Sequence, residues 1–152
     1  MTMSANKRRQ LAELYEAASG ICCYCDGATW LAFREGRNAA RRRLGIVAGT
    51  PGAGNALTAA RATREHLIKR ADGGTDAGNL KLACLACNVR RGDSTPDEHR
   101  ADMQKLVAAG LHPTNRPSAV PDPARHQRVG LKALRNLRAG IEPTTPPGET
   151  TL

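Results

Sequence analysis

With 152 residues and a mass of 16.2 kDa, the chain has room for one compact domain plus tails, and a second independent core would be hard to fill. One Trp, one Phe and two Tyr leave few large core-filling side chains, so aromatic burial alone cannot hold the fold. The formal net charge of +9 favours a polyanionic partner, because Lys and Arg bound to phosphates release counterions, while no run reaches the roughly 20 apolar residues of a membrane span.

Ser4 is placed to cap a first helix, in which Leu11, Leu14, Tyr15 and Ala18 recur at helical spacing until Gly20 stops it. The composition shifts to Gly, Ala and Arg over 34–56, including Arg41, Arg42 and Arg43, and predicts a mobile, basic insertion. Its Gly-rich run 49–54 is no phosphate loop, since Asn55 and Ala56 stand where Lys and Ser or Thr are needed. An extended segment from Leu57 to Ile68 precedes the turn residues 71–76, after which Leu80 and Leu82 alternate with Lys81 and Ala83 as in a half-buried strand. A short helix is expected near Cys87. A further helix starts at Thr95, Pro96 and Glu98 with a capping box, and Met103, Leu106 and Val107 form its apolar side. Four prolines between His112 and Pro123 predict a linker, followed by a basic helix at 125–139 and a Pro/Thr-rich, disordered end. The domain is thus expected at 4–110, with linker, basic helix and tail at 111–152.

The five cysteines fall into two tight knots, not into a spread disulfide framework. Cys22-x-x-Cys25 and Cys84-x-x-Cys87 each fit a knuckle, and two knuckles complete a tetrahedral zinc site. Clipping distant segments together stabilises a small, aromatic-poor domain. Cys23 is the spare, because Cys23-Tyr24-Cys25 is too short a knuckle. The start of the chain lacks the apolar run of a secretory signal, which places the protein in the cytoplasm, where thiols stay reduced. An all-thiolate site is closed, so chemistry has to sit elsewhere.

Between the knots run Arg64-Glu65-His66-Leu67-Ile68-Lys69-Arg70, the Gly-Gly turn and Asn79-Leu80; then comes Cys84-Leu85-Ala86-Cys87-Asn88-Val89-Arg90-Arg91-Gly92-Asp93. These residues resemble the HNH endonuclease signature, in its four-cysteine, H-N-N branch, over about 20–93 apart from the 34–56 stretch. The resemblance implies an α+β fold with a small ββα-metal core stapled by a four-cysteine zinc site and flanked by N- and C-terminal helices. It also implies hydrolysis of DNA phosphodiester bonds. A neutral imidazole can take the proton of an attacking water, a role for His66. A divalent ion, magnesium or manganese, suits hard oxygen ligands, and Glu65 and Asn88 are the expected ones. By resemblance Asn79 bonds to backbone near His66 and orients it. Because neighbours on a regular strand point to opposite faces, a shared cleft for Glu65 and His66 requires an irregular strand there.

Lys69, Arg70, Arg90 and Arg91 are the expected phosphate contacts. The other histidines, His99, His112 and His126, read as structural or solvent-exposed, and Trp30 and Phe33 as core. The competing reading is a non-catalytic zinc module that binds DNA or RNA on the same scaffold. A third is a phage packaging factor acting with a terminase. A membrane-surface role is disfavoured, since large apolar anchors are lacking.

Overall fold

The computed structural model describes residues 2–49 and 52–114. The basic helix expected at 125–139 and the tail lie outside them. The fold is a small α+β arrangement of five α-helices, a one-turn 3-10 helix (Arg70–Asp72) and one two-stranded antiparallel sheet among the described residues: α1 (Ala5–Ala17), α2 (Arg37–Arg43), α3 (Ala53–Ala59), β1 (Ala62–His66), β2 (Leu80–Cys84), α4 (Leu85–Arg90) and α5 (Pro96–Ala108). None of the helices is long and apolar enough to cross a membrane.

Local signals set most of these boundaries. The Ser4 hydroxyl accepts from the Lys7 N–H at the start of α1, satisfying one of the donors that a helix start leaves free. Thr95 and Glu98 form the reciprocal capping box of α5, with Pro96 in its first turn. β1 and β2 pair in the register Ala62↔Cys84 to His66↔Leu80, so β2 delivers Cys84 directly to the start of α4.

Three apolar clusters hold the molecule. One unites the cysteine knots with Tyr24, Ala83, Met103 and Leu106. A second packs Leu11 and Leu31 on Ala62 and Leu82, seating α1 against the sheet. The third corrects the expectation of a mobile insertion: α2 and α3 bury Ala40, Ile46, Ala53, Ala56, Leu57 and Ala60 around Trp30, whose indole N–H donates to the Leu57 carbonyl at 2.6 Å. Close packing by alanines, not a stripe of large residues, makes this unit. The extended segment is shorter than expected for the same reason, since its first residues, Leu57 to Ala59, complete α3. Phe33, expected in the core, is exposed.

The core also runs past its expected end at Gly110. Leu111 packs on the cysteine cluster and His112 is fully buried, so the linker does not begin at residue 111.

Candidate functional site

Cys22, Cys25, Cys84 and Cys87 are all buried, and their sulfurs lie within 4.8 Å of one another. Tetrahedral thiolate ligation at about 2.3 Å places sulfurs about 3.8 Å apart, and the Cys25 and Cys84 sulfurs are separated by 3.9 Å. The cluster could therefore hold a metal ion such as zinc. Knuckle geometry supports this: the Tyr24 N–H points to the Cys22 sulfur and the Cys87 N–H to that of Cys84, each at 3.4 Å. Hydrogen bonding with Cys22 and the other thiols draws Cys25 well below the usual thiol range and pushes Cys87 well above it. All four could be thiolates at this separation only with a cation between them. Cys23 is not part of the cluster, and burial pushes its thiol up to about 12.

Neighbouring elements fix the two knots. α5 holds the first through Arg100, which pairs with Asp26 at 2.9 Å and donates to the Cys23 carbonyl, and through Gln104, which donates to the Tyr24 carbonyl at 2.7 Å. His112 Nε2 lies 3.2 Å from the Cys87 sulfur while Nδ1 faces the Thr114 hydroxyl at 2.7 Å. An imidazole so placed can give an N–H···S hydrogen bond to the thiolate and orient it. The sequence reading missed this contact because His112 stands in a proline-rich stretch with no cysteine near it.

At the opposite end of the hairpin, Asn79 clamps the connecting loop. Its Oδ1 accepts from the Ile68 N–H at 2.7 Å, and its amide donates to the carbonyls of Ile68 at 2.8 Å and Thr75 at 2.9 Å. Gly74 is required by this closure, since a Cβ there would stand 2.0 Å from the Ile68 carbonyl oxygen. The loop thus returns Asp76 to His66, whose Nε2 is 2.9 Å from Asp76 Oδ1. Arg70 donates from Nη2 to the same carboxylate oxygen at 2.8 Å and approaches His66 Nε2 through Nε at 3.2 Å. Arg64 lies 3.5 Å from the other carboxylate oxygen. Hydrogen bonds from His66 and then Arg70 hold the Asp76 carboxyl well below its ordinary range. His66 Nε2 can donate to Asp76 or accept from Arg70, but not both, so the arrangement depends on the imidazole proton.

β1 stays regular through His66, contrary to the irregularity that a shared cleft requires. Arg64 and His66 consequently lie on one face of the sheet and Thr63 and Glu65 on the other. Glu65 is buried, accepting from the Tyr24 hydroxyl at 3.0 Å and from Arg91. Asn88 donates to the Thr63 hydroxyl at 3.0 Å and to the Arg64 carbonyl at 3.1 Å, which docks α4 on β1. Glu65 and Asn88 thus serve the packing of the sheet face away from His66. An oxygen-ligated magnesium or manganese does not fit between them in this arrangement, because the Glu65 carboxylate is already neutralised by Arg91.

The four basic residues expected on phosphates separate. Arg91 is buried, with its guanidinium spent on Glu65 and on the carbonyls of His66, Leu67 and Ser94; it is a clamp and not a phosphate contact. Arg90 is half-buried, and burial lowers its pKa against the opposing pull of Cys87 and Cys84. Lys69 pairs with Asp93 at 2.8 Å, and Arg70 remains the most exposed of the four side chains at the hairpin tip. The residue that sequence reasoning missed here is Asp76, which its turn-forming type alone does not distinguish from its neighbours. Comparison with protein-family models, with curated proteins and with solved structures gives no match.

Proposed function

We propose that this chain is an HNH-type DNA endonuclease in which a structural zinc, held by Cys22, Cys25, Cys84 and Cys87, braces the start of α4, and His66 acts as general base. The observation that carries the reading is the placement of His66 at the end of β1, next to the loop that Asn79 closes, with Arg70 against its imidazole and Arg64 on the Asp76 carboxylate that His66 also meets. A phosphodiester resists attack because its oxygens repel the nucleophile; guanidiniums at that position offset the charge, and an imidazole freed from Asp76 can take the water proton. The family resemblance implies magnesium or manganese in addition, and the assay reads that requirement directly.

A second reading, a zinc module that binds nucleic acid without cutting it, is favoured by the separation of Glu65 from His66 across the sheet. Supercoiled plasmid distinguishes the two. Nicking that needs added magnesium or manganese, with a loss on the order of 10²-fold or more in His66→Ala, supports the endonuclease. Withholding the metal, with only brief chelation, keeps the thiolate site loaded. DNA binding by both proteins with cleavage by neither leaves the binding module, or a role that a partner such as a terminase activates.

A further inference from the structure

We infer that Arg64, His66 and Arg70 form a phosphate-binding site whose ligand position is taken, in the free protein, by the carboxylate of Asp76. Two guanidiniums and one imidazole converge on a single carboxylate, with Oδ1 shared between His66 at 2.9 Å and Arg70 at 2.8 Å and Oδ2 facing Arg64 at 3.5 Å. Such a spread of donors over two oxygens matches two non-bridging oxygens of a phosphodiester as well as it matches a carboxylate.

Two of the three donors, Arg64 and His66, are anchored from behind, while Arg70 and the acid both belong to the hairpin loop. Arg64 is held by Gln10 of α1, whose side-chain oxygen accepts from it at 2.7 Å, and both Arg64 and His66 belong to a paired strand. Asp76, by contrast, sits in the hairpin loop with its side chain about a third exposed, and the Asn79 clamp grips the backbone of Thr75 and Ile68 instead of the Asp76 side chain. Rotating the Asp76 side chain outward empties the position without opening the clamp. Even with the carboxylate in place, two guanidiniums outnumber it, so the site keeps a positive charge that attracts an anion.

Asp76 therefore acts as an internal competitor: a backbone phosphate displaces it, frees His66 from its acid partner and takes over both arginines. This rests on the reading of the hairpin tip as the nucleic-acid-facing site, but it is independent of cleavage, since binding alone tests it. In magnesium-free buffer, fluorescence anisotropy with a short labelled duplex is expected to show Asp76→Asn binding several-fold tighter than the unsubstituted chain. The salt dependence should steepen by about one to two in log–log slope, one per cation released to phosphate. Asp72→Asn removes the same charge from an exposed position of the same loop and should change affinity far less; adding Arg70→Gln to Asp76→Asn should cancel the gain. Equal affinities for Asp76→Asn and Asp72→Asn, or weaker binding by Asp76→Asn, would overturn the inference.

A second measurement needs no variant. On titration of the unsubstituted chain, the Arg70 Nε–H resonance should move with duplex. A matching shift with inorganic phosphate assigns the site to phosphate in general, and a shift with duplex alone assigns it to the phosphodiester backbone. No movement with either overturns the site. Tighter binding by Asp76→Asn without nicking by any form would leave this site standing while the endonuclease reading fails.

Discussion

Removing the guanidinium of Arg91 strands the buried carboxylate of Glu65 and leaves the carbonyls of His66 and Leu67 without their donor. Arg91→Leu should therefore destabilise the fold by about 3–5 kcal/mol in urea unfolding, and Glu65→Leu placed beside it should recover much of that loss, because an apolar pair carries no unpaired charge. Failure of the double variant to recover stability would show that the carbonyl contacts, not the ion pair, carry the effect. None of this is legible from the sequence, where Arg91 is one of two consecutive arginines in a basic chain. Residue type reports charge, and only packing reports whether water reaches it. Asp76 escapes for a related reason: its chemistry depends on a loop that brings it back ten positions to His66, and turn composition does not encode that return.

The hairpin loop is the element whose geometry the proposed chemistry depends on most. Asn79→Ala removes three part-buried hydrogen bonds and leaves the N–H and carbonyl of Ile68 without these partners, so a stability loss of about 1–3 kcal/mol is expected. Hydrogen exchange should show that the amides around Ile68 lose protection first, ahead of those in β2. Uniform loss of protection across β1 and β2 would count against a local clamp. The loop and both knuckles were readable in the sequence because they are local: Gly-Gly, Asn and Cys-x-x-Cys each set geometry over a few residues. The same holds for the caps of α1 and α5. The α2–α3 unit was not readable, since its core is built largely of alanines, with only Ile46 and Leu57 as larger buried aliphatic residues, and alanines look identical to filler until Trp30 is brought against them, and Trp30 reaches it from another part of the chain.

At the scale of the whole molecule, the cysteine cluster joins residues 22–25, 84–87 and the stretch ending at His112, so ion binding and tertiary structure should be coupled. Metal analysis is expected to give one zinc per chain, and prolonged chelation should lower the melting temperature; a chain that melts identically with and without zinc would remove the structural role. Trp30, the only tryptophan, lies in the α2–α3 cluster, which is distinct from the cluster containing the cysteines. The molecule consequently carries a natural optical reporter in a different cluster from the four cysteines. If chelation changes Trp30 fluorescence in step with the far-ultraviolet dichroism, loss of the ion at one cluster is felt at another and the domain behaves as one cooperative unit; if the indole signal survives, the alanine-packed helices form a subunit of stability that outlasts the zinc-dependent part.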